Sequence, residues 1–162
     1  MGVIQTPDLD GRPNTGLVNF GNTMKTLYTG GTFDLFHAGH VKFLKRCSEL
    51  ADKVVVSLNT DDFVYKYKGV RPVISYENRF CVLNACRYVD NVVMNSGGSD
   101  SKPAILKVKP NIIAVGDDWK HKDYCKQMMF SESWLKLNNI VLIYIPYTKG
   151  ISTTRIRDCI NE

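Results

Sequence analysis

Two histidines placed three residues apart are the first feature of this sequence that suggests chemistry. They stand in residues 31–40, GTFDLFHAGH, which follow an apolar run typical of a strand and lead into a helical pattern. Side chains three apart at the start of a helix lie on one face, so His37 and His40 can act together. A helix N-terminus also offers unpaired N–H groups and the positive end of the helix dipole. The segment therefore predicts a site for phosphate oxygens, where Gly30 and Gly31 let the backbone approach a ligand closely.

The same segment has two further interpretations. The histidines could do no more than cap a helix. Alternatively, Asp34, His37 and His40 could ligate a metal ion, although the sequence offers no evident fourth ligand.

A second segment near the C-terminus predicts another anion site. Residues 150–157, GISTTRIR, come soon after an apolar run that ends near Pro146. Ser152 or Thr153 is a suitable N-cap for a final helix, and successive hydroxyls, free N–H groups and two arginines could hold phosphates there. The alternative is plain helix capping with the arginines in solvent.

Two further groups of charged residues are candidates. Lys68 precedes Gly69 in an expected loop and could reach over a ligand, although basic residues of this kind usually form a solvated face. Asp117 and Asp118 follow a buried strand and could bind ribose hydroxyls, a base amino group or a metal, or form an ordinary turn. The basic group comprises Lys66, Lys68, Arg71, Arg79 and Arg87.

Short apolar runs that alternate with helical patterns must position these residues. Runs at 54–58, 92–94, 112–115 and 140–145 predict strands, and residues 41–50, 76–86 and 124–137 show helical patterns. This alternation predicts one α/β domain over residues 24–162, with a mainly parallel sheet flanked by helices. Ligands of such sheets bind beyond the carboxyl ends of the strands. Residues 1–23, rich in Gly, Pro and Asn, are expected to be a flexible extension.

Composition excludes several classes of protein. The 162 residues suffice for one domain, and 44% hydrophobic residues exclude a wholly disordered chain. No apolar run is long enough to cross a bilayer, and five cysteines without a C-x-x-C pair disfavour a disulfide framework or structural zinc. A net charge of +5 without a basic run favours small phosphate-bearing ligands over nucleic acid. We expect a cytoplasmic protein without membrane insertion.

The chain resembles the cytidylyltransferase branch of the HxGH nucleotidylyltransferases, which have a Rossmann-like fold. The resemblance extends over about residues 26–160 and rests on five motifs in the family's order: GTFDLFHAGH at 31–40, KG at 68–69, RYVD at 87–90, GDDW at 116–119 and GISTT at 150–154. GDDW and GISTT are most similar to the glycerol-3-phosphate cytidylyltransferases. FDLFHAGH and CRYVD are also similar to the choline-phosphate enzymes.

The resemblance implies a reaction in which CTP and a small phospho-alcohol give a CDP-alcohol and pyrophosphate. Glycerol 3-phosphate is the first expected acceptor, with phosphocholine, phosphoethanolamine and small phosphonates as further candidates. Adenylyl transfer from ATP by the same superfamily chemistry is a rival activity, and nucleotide binding without turnover is a rival of a different class. The resemblance further implies Mg²⁺ with CTP, and a homodimer that pairs through the RYVD region.

The resemblance also implies a role for each motif residue. The catalytic residues would be His37, His40, Lys68, Ser152 and Thr153. The nucleotide would be bound by Gly31, Thr32, Phe33, Asp34, Gly39, Lys66, Arg87, Gly116, Asp117, Asp118, Trp119, Ile151 and Thr154. Arg79 and Arg155 would support the site.

Two departures from the family pattern affect these expectations. Tyr147 stands where the family usually has an arginine, and Arg155 or Lys149 could replace its charge. Residues 94–98, MNSGG, lack the tryptophan that relatives often have near the acceptor. A choline head group favours aromatic walls, so this second departure disfavours choline phosphate.

Overall fold

Five parallel strands form the scaffold in a computed structural model that describes residues 24–121 and 123–161. The sheet order is β3-β2-β1-β4-β5, and each neighbouring pair is parallel. The strands are β1 (Thr26–Gly31), β2 (Lys53–Leu58), β3 (Asn91–Met94), β4 (Ile112–Gly116) and β5 (Val141–Ile145). The predicted α/β fold with a parallel, Rossmann-like sheet is therefore confirmed.

Helices connect the strands. They are α1 (Ala38–Leu50), α2 (Asp61–Lys68), α3 (Tyr76–Asn84), α4 (Lys102–Val108), α5 (Tyr124–Gln127), α6 (Glu132–Leu137) and α7 (Thr153–Asn161), with a 3₁₀ turn at Asp117–His121. The prediction of one helix over residues 124–137 was wrong. Two short helices occupy that segment, because the backbone reverses between them at Met129, whose φ is +58°.

The strands are buried because their side chains pack on both sheet faces. Val56 and Leu58 of β2 pack with Leu44 of α1 and Leu83 of α3 in one cluster. Other buried clusters centre on β1 and β4. Helices therefore pack on both faces of the sheet and hold the strands in place, including the carboxyl ends of all five.

The chain changes direction across the sheet at β1. It runs from β1 through β2 to β3 on one side, and then crosses to β4 and β5 on the other. The carboxyl ends of β1 and β4 thus flank a topological switch point, where open α/β sheets bind ligands. The predicted extension over residues 1–23 lies outside the described residues, and none of the helices described is long and apolar enough to cross a membrane.

Candidate active site

A cavity of about 660 Å³ opens at the carboxyl edge of the sheet. It brings together side chains and backbone from both predicted anion segments, from the end of α2 and from the end of β4. The predicted residues that border it are Gly31, Thr32, Phe33, Asp34, His37, Gly39, His40, Lys68, Gly116, Asp118, Trp119, Ser152, Thr153 and Thr154.

The two histidines form the start of α1. The Nδ1 atom of His37, the N-cap, accepts a hydrogen bond from the Gly39 N–H at 3.1 Å, and Nδ1 of His40 accepts one from the His37 N–H at 3.4 Å. The rings stack with centroids 3.9 Å apart. A neutral imidazole whose Nδ1 accepts a hydrogen bond carries its proton on Nε2. The histidines therefore cap the helix, as one interpretation expected, and also leave two Nε2–H donors for a ligand.

Burial keeps the histidines uncharged. Burial and, to a smaller extent, the neighbouring His37 lower the pKa of His40 to about 4, although Asp34 acts in the opposite direction. Burial also lowers the pKa of His37. At neutral pH both rings are thus neutral hydrogen-bond donors, which can bind phosphate oxygens without the mutual repulsion of two adjacent cations.

We predict that His40 of the ligand-free protein titrates far below the ordinary histidine pKa of about 6.5. A side chain with a pKa of about 4 when folded takes up its proton more readily in the unfolded chain. The free energy of unfolding should therefore fall as pH drops from about 6.5 toward 4 through this group. Histidine ¹⁵N–¹H NMR, with His40→Gln for assignment, measures both the pKa and the Nε2–H tautomer. A His40 pKa near 6.5 would contradict the neutral-donor role.

Gly39 is required by the way His37 folds back over the helix start. A Cβ on residue 39 would lie 2.8 Å from Cε1 and 2.9 Å from Nδ1 of His37. Such contacts are too short for any side chain, so the imidazole would have to move. The same Cβ would also meet Cγ2 of Ile151 at 3.4 Å, on the segment that leads into α7.

Replacing Gly39 with alanine should therefore separate activity from stability. Alanine is favoured over glycine in a helix by up to about 1 kcal/mol, which offsets some of the steric cost. We expect a loss of turnover of about 10-fold or more, since displaced catalytic groups are costly, and a change in unfolding free energy below about 1 kcal/mol. Steady-state kinetics and chemical denaturation measure the two quantities. Full activity in the variant would show that the His37 position is not critical.

Asp34 holds the site together rather than presenting its carboxylate to a ligand. The side chain is 4% exposed and accepts hydrogen bonds from the N–H groups of Val73 and Ile74 and from Arg157. Burial raises the pKa of Asp34, but these N–H groups and the Arg157 guanidinium lower it by more, so the net pKa is lowered. Its carbonyl also accepts from the Thr153 hydroxyl at 2.9 Å. Asp34 thus links three chain segments around the cavity.

The N-terminus of α7 faces the cavity as the second anion segment predicted. Ser152 caps the helix, since its Oγ accepts from the Arg155 N–H at 3.1 Å. Arg155 itself turns away and donates to the Gly150 carbonyl, so it does not border the cavity. Arg157, the second of the two arginines in this predicted anion segment, does border it. The basic side chain that α7 contributes is therefore Arg157.

Asp118 and Trp119 form the wall at the end of β4. A Cβ on Gly116 would lie 2.5 Å from Oδ1 of Asp118, so any other residue there would displace that carboxylate. The Trp119 ring packs edge-on against Tyr124 with centroids 5.4 Å apart. Asp117 does not border the cavity, because its Oδ1 accepts from the Tyr147 N–H at 2.8 Å and ties the 3₁₀ turn to the loop after β5.

Several predicted site residues do not reach the cavity for identifiable reasons. Lys68 is the last residue of α2 rather than part of a loop. Residues two apart on a helix differ in direction by about 200°, so Lys66 faces away from the cavity that Lys68 borders. Arg87 is exposed in the segment before β3, at the amino edge of the sheet and opposite the cavity. The predicted residues outside the cavity lining are Lys66, Arg79, Arg87, Asp117, Ile151 and Arg155.

Arg79 is buried among the loops behind the site. Its side chain is 1% exposed and donates to the carbonyl oxygens of Thr32, Asn59 and Ile74 as well as to the Asp61 carboxylate. It therefore joins the loops after β1 and β2 to the segment before α3. Arg79 thus acts on the cavity through the loops it holds and not by contact with a ligand.

The structure also adds cavity residues that the motifs did not indicate. Asn59 follows β2 and Asn95 follows β3, so their position at strand ends was the available signal. The added residues include Asn59, Phe63, Tyr67, Asn95, Ser99 and Ser101. Those other than Asn59 and Asn95 have no comparable signal in the sequence. In the part of the chain that is described, no group of three or more His, Cys, Asp or Glu could hold a metal ion.

Comparison with known proteins places this geometry in a family. Residues 28–159 match the model of the family described as cytidylyltransferase-like. The chain is 37% identical to the glycerol-3-phosphate cytidylyltransferase of Bacillus subtilis over 83% of this chain and 96% of that protein. It is also 37% identical to the FAD synthase of Pyrococcus abyssi over 88% of this chain and 96% of that protein. It is 38% identical to the bifunctional protein HldE of Campylobacter concisus over 85% of this chain, but spans only 28% of that protein.

Solved structures agree with the fold. The lipopolysaccharide core biosynthesis protein of Thermoplasma volcanium matches with a TM-score of 0.60 and 26% identity, over 79% of this chain and 99% of that one. A pantoate-beta-alanine ligase of Francisella tularensis shares the fold alone, with a TM-score of 0.54 and 17% identity over 86% of this chain and 70% of that one. Because the family model covers most of the chain, and the Bacillus subtilis and Pyrococcus abyssi proteins match over most of their length, we conclude that the chain belongs to the cytidylyltransferase-like family of nucleotidyltransferases.

Proposed function

We propose that the protein transfers a cytidylyl group from CTP to a small phosphorylated alcohol, with glycerol 3-phosphate as the leading acceptor. The observation that carries this proposal is the pair of Nε2–H donors on His37 and His40, set in one cavity with the N-terminus of α7. The resemblance to the Bacillus subtilis enzyme over nearly its whole length supports cytidylyl transfer.

The triphosphate would lie between the two helix N-termini. The Nε2–H groups of His37 and His40 would donate to phosphate oxygens on one side. On the other side, N–H groups at the start of α7 and the hydroxyls of Ser152 and Thr154 would hold the outer phosphates. Both helix dipoles would point their positive ends at the anion.

The reaction needs no protein nucleophile or base. A phosphate monoester is largely dianionic at neutral pH, so an oxygen of the acceptor phosphate can attack the α-phosphorus of CTP directly. The new P–O bond forms as the bond from the α-phosphorus to the bridging oxygen breaks. Pyrophosphate leaves with that electron pair. The protein's contribution is positioning, together with hydrogen bonds that strengthen as charge develops on the phosphates.

Lys68 and Mg²⁺ would supply positive charge. Lys68 borders the cavity from the end of α2, where its ammonium can bridge the α-phosphate and the incoming phosphate. Mg²⁺ would enter with the nucleotide and would be held mainly by phosphate oxygens, as is usual for this ion. Bound in that way, Mg²⁺ would neutralise charge on the leaving pyrophosphate.

The two substrates would occupy opposite ends of the cavity. The histidines follow β1, Asp118 and Trp119 follow β4, and the hydroxyls follow β5, so the nucleotide would take the side of the sheet from β1 to β5. The ends of β2 and β3 remain for the acceptor. Asp118 could accept a hydrogen bond from the base amino group, with the Trp119 ring beside it.

Adenylyl transfer is the second candidate. It is favoured by the similarity to the FAD synthase of Pyrococcus abyssi. FAD, the compound in that protein's name, contains an adenylyl group. Both cytosine and adenine have an exocyclic amino group that Asp118 could bind, so the same carboxylate would serve either base.

Pyrophosphate release tests the proposal. The purified chain would be assayed with Mg²⁺ and either CTP or ATP, against glycerol 3-phosphate, phosphoethanolamine, phosphocholine, small phosphonates and flavin mononucleotide. Release with CTP and glycerol 3-phosphate is the expected result. Release only with ATP would replace cytidylyl by adenylyl transfer, and tight CTP binding without release from any acceptor would identify a binding module.

A further inference from the structure

An amide at the β3 end of the cavity has an unused hydrogen-bond acceptor. Asn95 directly follows β3, is 8% exposed and borders the cavity. Its Nδ2 donates to Oδ1 of Asn59 at 2.8 Å and to the Gly98 carbonyl at 3.0 Å. Its Oδ1 is buried and has no hydrogen-bond partner among the described residues.

The orientation of the Asn95 amide follows from its neighbours. A backbone carbonyl can only accept a hydrogen bond, so the atom that faces the Gly98 oxygen must be Nδ2. The atom left unpaired is therefore the carbonyl oxygen. A buried acceptor without a partner is unfavourable. Because Asn95 borders the cavity, a rotation of its side chain would bring Oδ1 within reach of a donor on a bound molecule, which would remove that cost.

The surroundings favour a hydroxyl over an ammonium as that donor. Among the described residues that border the cavity, the acidic ones are Asp34 and Asp118. Asp34 is already engaged by Arg157 and two N–H groups, and Asp118 lies beyond β1 at the end of β4. At the β2 and β3 end, the described lining therefore offers neutral amides, hydroxyls and the Lys68 ammonium, but no free carboxylate as counter-ion for a cationic head group.

Aromatic rings form the nearby wall on α2. Phe63 and Tyr67 border the cavity and stack with centroids 6.1 Å apart and planes 10° apart. Parallel rings on one helix face give a flat apolar side rather than a cage around a cation. Such a wall suits the C–H face of a polyol.

We propose that Asn95 selects the acceptor, and that the acceptor is a polyhydroxylated phosphate whose hydroxyl donates to Asn95 Oδ1. This inference rests on the proposed function and names the substrate class of the same cavity. Polyol and sugar phosphates belong to this class. Phosphocholine does not, because its quaternary nitrogen has no N–H, and phosphoethanolamine would bring an unpaired charge.

Removing hydroxyls from the substrate and the amide from the protein tests the pairing directly. The kcat/KM for pyrophosphate release is measured with glycerol 3-phosphate and with propyl phosphate, which has the same carbon chain without hydroxyls. The wild type should prefer glycerol 3-phosphate by roughly 10- to 100-fold, because the deoxy analogue leaves the buried carbonyl unpaired. Asn95→Ala should lose most of that preference by slowing the glycerol reaction alone. Asn91→Ala, at the exposed start of the same strand, should keep it.

Other outcomes decide against the inference. A purely structural role for Asn95 would slow both substrates equally and leave their ratio unchanged. A water molecule as the partner of Oδ1 would give the same unchanged ratio, and phosphocholine turnover equal to that of glycerol 3-phosphate would also overturn the selection. If Asn95→Ala does not fold, Asn95→Asp replaces it, and its carboxylate should raise the relative kcat/KM of phosphoethanolamine about 10-fold or more.

Binding separates this inference from the proposed function. Calorimetry of the wild type with glycerol 3-phosphate and propyl phosphate, in the presence of CTP or ATP without Mg²⁺, reports on the subsite even without turnover. If glycerol 3-phosphate binds more tightly than propyl phosphate but no pyrophosphate is released, the transferase proposal is wrong and the Asn95 subsite is supported. If pyrophosphate is released but both acceptors bind with equal affinity, the transferase proposal is supported and the Asn95 subsite is wrong.

Discussion

Replacing His40 with alanine should lower kcat for nucleotidyl transfer by about 100- to 1000-fold, as loss of one oxyanion-type donor does in other enzymes. His40 presents an uncharged Nε2–H into the cavity, and its Nδ1 is held by the His37 N–H. The donor is thus fixed before substrate arrives, so its removal acts on the transition state more than on binding. Steady-state pyrophosphate release under saturating CTP measures the effect.

The stability of the same variant provides the control. His40 contributes a helix-capping contact and ring packing against Phe33 and Phe36, so its loss should cost only about 1 kcal/mol of unfolding free energy. Lys45→Ala, an exposed change on the same helix, should alter neither quantity. A fall in kcat below 10-fold in a folded His40→Ala protein would contradict a catalytic role.

Replacing Arg79 with alanine should have the largest effect on stability. The change removes a buried guanidinium and takes its donors away from Oδ1 of Asp61 and from three backbone carbonyls, while Oδ2 of Asp61 keeps the Tyr76 N–H. Asp61 is partly exposed and can be rehydrated, so we expect a loss of about 3 kcal/mol rather than more. Denaturant unfolding measures this loss.

Arg87→Ala is the matched control, because Arg87 is an exposed arginine that follows the same helix. Its change should alter the unfolding free energy by less than about 0.5 kcal/mol. Equal destabilisation by the two substitutions would mean that the buried network around Arg79 contributes little.

The elements and the two anion segments were predictable because they depend on local patterns. Apolar runs between helical patterns define parallel strands, and ligand groups must then gather where those strands end. The segments that follow β1 and β5 carry the histidines and the Ser152 cap, so their meeting in one cavity follows from topology. The break in the predicted helix at Met129 was not visible, since a positive φ at methionine has no local signal.

The roles of Asp34 and Arg79 could not be predicted because their partners are backbone groups far away in sequence. Asp34 binds N–H groups 39 and 40 residues later, and Arg79 donates to a carbonyl 47 residues earlier. No pattern of side-chain types encodes such contacts. A motif therefore identifies these residues as part of the site without telling whether they contact substrate or hold the loops that do.

Some predicted residues lie outside the cavity lining because the sequence prediction did not consider which face of a helix each residue occupies. Had α2 been expected over residues 61–68, Lys66 and Lys68 would have been separated, since successive residues turn by about 100°. The same holds on α7, where Arg157 rather than Arg155 borders the cavity. Tyr147 stands where the family usually has an arginine. Among the described residues, Arg157 is the arginine that borders the cavity.

The most direct test of the central claim is to follow the reaction of CTP and glycerol 3-phosphate by ³¹P NMR with Mg²⁺. We expect a pyrophosphate signal and a diphosphate diester to appear in a one-to-one ratio, and His40→Ala to abolish both on the same time scale. Pyrophosphate without the diester would show hydrolysis instead of transfer. No reaction with CTP, while ATP yields an adenylylated product, would contradict cytidylyl transfer.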